Sequence, residues 1–334
     1  MDQSVRKRIP ILSFLFMLDV LLYHIGVADR SLAVSGADRW LYYFDVNAVK
    51  WMSGLCMSFF FGLTGFLLFY RLGFSNLGAK LKKRVMTLLV PYLLWQGIYL
   101  LKSILQGQGW PLDEIIRKVF LMEMWPPVGA LWYLYAVFLL ALLSPVLLIL
   151  LRNRKLGFLA VLALVMAVQY YFRRPGMGTR YVGNMLMHLP AYLFGAYLGH
   201  FCDEMTDQDR FLFLVSMIFF GIFLENVYPD FAVGILMETL PLSLLWLFPV
   251  RPWMEGKGIY KLSFLMLATH QSVISAVVYR VRAATEALVP SAALSTLAGQ
   301  TVGLAACIGT AALIAAVMRR FTPKTLKLLT GGRC

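Results

Sequence analysis

About ten stretches of roughly 20 mostly apolar residues, each long enough to cross a hydrocarbon core as a helix, follow one another along this chain. They run approximately Ile11–Val27, Ala48–Tyr70, Val85–Leu105, Val128–Leu151, Leu156–Phe172, Val182–Phe201, Phe211–Leu224, Phe231–Val250, Ile259–Tyr279 and Ala293–Met318, of which Phe211–Leu224 is the shortest. In lipid every backbone N–H and C=O must find a partner within the protein, which leaves only helices or a closed barrel. Barrel strands alternate apolar and polar residues, and these stretches do not. The sequence therefore predicts an all-α integral membrane protein, a bundle of about ten transmembrane helices. Composition agrees. Of 334 residues, 60% are hydrophobic and 14% charged, where a soluble domain has about 45–50% and about 25%. No linker, low-complexity tract or short repeat divides the chain, so a single polytopic domain over residues 1–334 is expected.

Lysine and arginine set the orientation, because cytoplasmic loops carry an excess of both. With the N-terminus inside, residues 6–8, 71–84, 152–155, 251–261 and 319–333 and Arg210 all fall inside. Together they hold 20 of the 31 Lys and Arg residues. Both termini are then cytoplasmic. Two loops run against the trend: the outer loop after the fifth span carries Arg173, Arg174 and Arg180, and the inner loop 202–210 is acidic. A basic outer loop does not help topology, which hints at use. Two outer stretches, Ala28–Asn47 and Gln106–Pro127, are long enough to form caps or short surface helices.

A formal charge of +14 would suggest nucleic acid in a soluble protein. Here the charges lie in short loops between apolar stretches, as topology determinants do, and no nucleic-acid partner is expected. Arg6, Lys7 and Arg8 ahead of an apolar run resemble a secretory signal. Asp19 and His24 interrupt that run, and the expectation is a retained first helix. Cys56, Cys202, Cys307 and Cys334 show no spacing for zinc or a disulfide framework. No metal is expected.

Ionisable groups inside spans cost roughly 2.5–3.5 kcal/mol on insertion scales, so each is a functional candidate. They are Asp19 and His24 in the first span, His188 in the sixth, Glu238 in the eighth and His270 in the ninth. Histidine titrates near neutral pH and is the natural base for a hydroxyl, and His24 stands one turn from the outer end of its helix. An interfacial histidine that only hydrogen-bonds a neighbour is the competing reading. Asp19 is five residues from His24, on a different face, and is expected to meet Tyr23 or another helix. His270 either lines a polar cavity or bridges helices together with Thr269 and Gln271. His188 precedes Leu189-Pro190, and a structural bond to that kink is expected. Glu238 needs a partner, with Arg173, Arg174 and Arg180 as candidates. Lys80, Lys82, Lys83 and Arg84 cluster on the inner side, either as plain topology determinants or as a docking surface for phosphates.

Several segments, taken in order, resemble the acyltransferase 3 family of membrane O-acyltransferases. The first span, ending Leu21-Leu22-Tyr23-His24, is similar to the family's opening helix. Phe59-Phe60-Phe61-Gly62-Leu63-Thr64-Gly65-Phe66-Leu67 resembles its FF-x-x-S-G-F-L pattern, with Thr64 in place of serine. Lys83-Arg84 followed by Val90-Pro91-Tyr92 resembles the basic start of the third span. Gly129-Ala130-Leu131-Trp132-Tyr133-Leu134 matches L-W-[FY]-L. Leu189-Pro190-Ala191-Tyr192-Leu193-Phe194-Gly195 and Lys261-Leu262-Ser263-Phe264, with His270 following, complete the series. One departure stands out: the family often carries arginine eleven residues before the first-helix histidine, where this chain has Ser13.

The resemblance implies transfer of an acyl group, commonly acetyl from acetyl-CoA, to a hydroxyl of an envelope glycan or similar acceptor at the cell membrane of a bacterium. His24 is then the expected catalytic base. Asp19, His270 and Glu238 are possible further cavity residues, and Lys80, Lys83 and Arg84 would meet the phosphates of acyl-CoA. Arg173, Arg174 and Arg180 would face the acceptor, while Thr64, Gly65, Trp132 and Tyr133 would pack the motifs. Membrane lipid is the remaining expected partner. The alternative is a transporter or exporter of a lipid-linked sugar or small metabolite, since intramembrane acids and histidines also suit a proton-coupled carrier. A sensor or scaffold without catalysis is a third reading.

Overall fold

The computed structural model describes residues 2–26, 39–120, 125–172, 185–227, 231–288 and 291–333, and every regular element among them is helical. The principal helices are α1 (Gln3–Ile25), α2 (Arg39–Phe69), α3 (Phe74–Arg84), α4 (Val90–Leu105), α5 (Leu112–Val119), α6 (Trp132–Leu142) and α7 (Ser144–Leu150). They continue with α8 (Arg154–Phe172), α9 (Leu189–His200), α10 (Asp207–Val227), α11 (Phe231–Leu247), α12 (Ser263–Leu288), α13 (Ala292–Phe321) and α14 (Pro323–Leu329). Five helical runs are long and apolar enough to cross a membrane: Gln3–Ile25, Met52–Phe69, Phe74–Leu105, Gly258–Leu288 and Leu294–Phe321. A sixth joins them if Gly129–Leu142 and Ser144–Leu150, bent by 52°, count as one broken span. The stretch 106–127, expected on the outer side, contributes the short helix α5, whose Leu112 and Ile116 are exposed.

Contacts within the chain gather into two units, one of Met1–Arg6 with Met57–Pro249 and the other of Lys7–Cys56 with Val250–Cys334. In the first unit every residue of α9 from Leu189 to Gly199 is buried. It lies against α2 backbone to backbone. A Cβ added at Gly195 would collide with the Gly62 carbonyl, one at Gly65 with the Tyr192 carbonyl, and one at Gly199 with the Phe66 carbonyl. Small residues let helices approach this closely where no hydrophobic force drives them together.

Prolines shape the rest of this unit. Pro91 cannot donate to the carbonyl four residues back. The turn before it widens into a π segment, Val85–Leu89, in which the Val90 N–H reaches the Val85 carbonyl. Pro145 likewise frees the Ala141 carbonyl, and the Ser144 hydroxyl takes it at 2.7 Å. The 52° bend between α6 and α7 is made at this junction. Buried Gln96 of α4 pins the entry to α6, accepting from the Val128 N–H at 2.9 Å and donating to the Val128 carbonyl at 3.4 Å.

The second unit is built on the antiparallel pair α12 and α13. Cys307, Ala311 and Ala315 are buried along one face of α13, continuing a line of small residues that begins at Gly299 and Gly303. At Gly303 a Cβ would come within 2.8 Å of Val278 Cγ2 and 3.0 Å of Ile25 Cδ1, so the glycine admits both α12 and the end of α1. Phe14 of α1 packs on Tyr260 with ring centroids 5.5 Å apart, and Lys7 pairs with Glu255 at 2.9 Å.

Candidate active site

In the second unit, α1 ends at Ile25 with Gly26 in the left-handed conformation (φ +76), a backbone state that glycine adopts without strain. His24 is therefore the penultimate residue of the helix and is exposed. Its ring lies 4.8 Å from that of His270, centroid to centroid, with 46° between the planes, and 5.3 Å from the ring of Tyr23. His270 is wholly buried on α12. Its Nδ1 lies 2.8 Å from the Leu267 carbonyl and 3.1 Å from the Met266 carbonyl. Carbonyls only accept, so Nδ1 carries the hydrogen and Nε2 is left as a lone pair. That Nε2 is buried with no hydrogen-bond partner among the described residues. The two histidines, distant in sequence, form one imidazole pair: one ring in the interior with its tautomer set, the other at a helix end.

Asp19, on the same helix, does not reach His24. It is buried and accepts from the Cys56 thiol of α2, with Sγ 2.7 Å from Oδ2, while Oδ1 has no partner among the described residues. Cys56, which carries no metal or disulfide spacing in the sequence, is thus tied to the buried carboxylate of α1. No Cys/Asp spacing pattern in the sequence signals this contact, because it joins two helices.

The first unit holds the motif residues. Tyr133 donates to the Phe60 carbonyl at 2.8 Å, and its oxygen lies 2.7 Å from the Thr64 hydroxyl. Tyr133 has a single hydrogen, already given to Phe60, so Thr64 is the donor between them. A serine would make the same bond, which accounts for Thr64 in the pattern's serine position. Arg84 donates to the Thr64 carbonyl at 3.4 Å. Lys80 gives hydrogens to the carbonyls of Leu68 (3.0 Å) and Tyr70, and so caps the C-terminal end of α2. Lys83 is exposed, and Gly65 serves the close contact with α9. Trp132 packs between Phe61 (5.8 Å) and Trp125 (6.0 Å).

His188 and Glu238 also meet in this unit, with Nδ1 3.2 Å from Oε1. One expectation is corrected here: His188 bonds a carboxylate on α11 rather than the backbone freed by Pro190. The Oε1 atom of Glu238 is engaged by that histidine. Glu238 Oε2 is buried without a partner among the described residues, and Phe61 lies 5.1 Å from the His188 ring. Arg173, Arg174 and Arg180 lie outside the described residues.

At the cytoplasmic ends expected from the charge pattern, acidic residues of loop 202–210 pair with the neighbouring arginines. Asp203 bonds Arg71 at 2.7 Å, and Asp209 bonds Arg154 at 2.5 Å. The Arg71 hydrogen bond holds Asp203 below the usual carboxylate range. The Thr206 backbone N–H first, and then Arg154, hold Asp209 at about 2.

A largely apolar helical protein with an imidazole pair and serial motif packing is matched, over residues 11–319, by the family described as an acyltransferase domain. The protein is a membrane acyltransferase. It belongs to the acyltransferase 3 family, whose pattern covers nearly the whole chain. No curated protein and no solved structure matches it.

Proposed function

We propose that this acyltransferase moves an acyl group, commonly acetyl, from cytoplasmic acyl-CoA to a hydroxyl of an envelope carbohydrate or similar acceptor. In this reading about ten spans cross the cell membrane of a bacterium with both termini inside. The observation that carries it is the 4.8 Å approach of the His24 and His270 rings. His24 takes the proton of the acceptor hydroxyl as its oxygen attacks the thioester carbonyl. The new C–O bond forms as the C–S bond breaks, and the proton passes to the departing thiolate to give free CoA. His270, with Nδ1–H on a carbonyl, presents Nε2 as an acceptor and supports the His24 ring. On the inner side, Lys83 and Arg84 meet the CoA phosphates as charged donors.

The test is CoA release from acetyl-CoA by purified protein in lipid nanodiscs, with an envelope-glycan extract as acceptor. His24→Ala is expected to stay folded and lose transfer. Full transfer by that variant would remove His24 from the chemistry, and flux of the glycan without CoA release would favour a carrier instead.

A further inference from the structure

The end of α1 is held by a residue that no motif marks. Arg282 of α12 donates through Nη2 to the Gly26 carbonyl at 2.5 Å and to the Ile25 carbonyl at 3.2 Å. These are the two carbonyls that follow His24, at a helix C-terminus where the backbone carries partial negative charge. The arginine runs along a slot on α13. A Cβ at Gly299 would sit 2.8 Å from Arg282 Nε and 3.0 Å from its Cγ, so only glycine leaves the side chain its path.

Arg282 and His270 lie on the same helix, separated by about 18 Å of rise. Side chains lean toward the N-terminus of their own helix. The His24 ring thus meets His270 at one level of α12, while Arg282 grips the backbone just beyond His24 at another level. One helix therefore holds the end of α1 at two points, one on its ring and one on its carbonyls. Ser13, where the family pattern has arginine, is about 16 Å away along α1 toward the other end. Arg282 does not stand in for it.

Resting on the reading of His24 as base, we propose that Arg282 is the positioning residue of His24. It pins the carbonyls of Ile25 and Gly26 so that the imidazole keeps its place against His270, and Gly299 provides the slot it needs. Misplacing a reacting group by about 1 Å costs on the order of 10²-fold in rate.

The experiment compares Arg282→Gln, Arg282→Lys, Gly299→Ala and the double variant Arg282→Gln with Gly299→Ala, all purified in nanodiscs. Arg282→Gln is expected to lower kcat on the order of 10²-fold with the KM for acetyl-CoA unchanged. Arg282→Lys should recover part of that loss, Gly299→Ala should reproduce part of it, and the double variant should be no worse than Arg282→Gln alone. The chain has four histidines, so ring-15N resonances of His24 are assignable by single replacements. In Arg282→Gln the His24 signals should shift while those of His188 and His200 stay. An unchanged kcat and unchanged His24 signals overturn the proposal. So does a loss of rate that merely follows the fraction of folded protein. If Arg282→Gln does not fold, Gly299→Ala carries the same comparison. Should His24→Ala retain activity, the catalytic reading fails on its own, and the His24 resonances still report whether Arg282 positions the ring.

Discussion

His270 points the lone pair of Nε2 into the protein interior because its Nδ1 hydrogen is committed to the Leu267 carbonyl, 2.8 Å away. Removing that acceptor should impair His24 without unfolding the bundle. His270→Ala is expected to lower kcat by about 10²-fold or more, the usual contribution of a group in acid–base work. The KM for acetyl-CoA should hold. CoA release at saturating donor checks this, and unaltered turnover contradicts the pairing.

Lys80 and Lys83 should separate into two roles. Lys80 is engaged with the last carbonyls of α2, so Lys80→Ala should cost about 1 kcal/mol of stability, as other lost helix-end partners do. Lys83 is exposed, and Lys83→Ala together with Arg84→Ala should raise the KM for acyl-CoA several-fold. Melting in detergent and donor titration, run on both variants, tell the roles apart.

The contact of α2 with α9 predicts unequal tolerance among glycines. Gly195→Val places side-chain atoms against the Gly62 carbonyl and should destabilise by about 3 kcal/mol or more, beyond the usual overpacking range of 1–3 kcal/mol. Gly97→Val, at a site where an added Cβ meets nothing, should be nearly silent in the same melting assay.

At the α6–α7 corner, Ser144→Ala leaves the Ala141 carbonyl without its hydroxyl partner. The expected cost is about 1–3 kcal/mol, that of an unpaired buried polar group. Pro145→Ala restores a backbone donor, so the double variant should regain most of the loss. Additive losses in a thermal-shift cycle would contradict this.

Asp209 gives a pH dependence whose sign is determined. Its folded pKa, about 2, is lower than its unfolded value, so its contribution to stability is complete above about 3.9 and is lost as pH falls toward about 2. The difference in melting between the wild type and Asp209→Asn should be constant from pH 5 to pH 8. It should shrink only in stronger acid.

Hydropathy alone made the helical class legible, because a run of apolar residues can be counted without knowing its neighbours. The histidines at 24 and 270 were legible as ionisable groups in apolar runs, and their order within family-like motifs strengthened them. Their approach to one another was not legible, since nothing in either segment encodes which helix lies beside it. Cys56 and Glu238 show the same limit: nothing in the sequence pairs Cys56 with Asp19 or Glu238 with His188, because each contact joins residues far apart in the chain. Arg282 escaped notice for a different reason. It stands just past the apolar run ending at Tyr279, where an arginine reads as an ordinary charge at a span's edge.

At Gly65, Gly195 and Gly199 the contact between α2 and α9 is backbone against backbone, with no side chain there to rearrange. Most helix interfaces can absorb a small shift by moving a leucine from one rotamer to another, and this one cannot. It is either fully closed or parted, much as two flat stones are. Whatever mobility acyl transfer demands of the first unit must arise elsewhere, in segments whose contacts are made by rotatable groups. By the same token, no single change on one helix can be repaired by a change on the other: a larger residue on either side needs room that the opposite backbone does not have. Drift in the sequence should therefore leave Gly65, Gly195 and Gly199 together or lose the contact altogether.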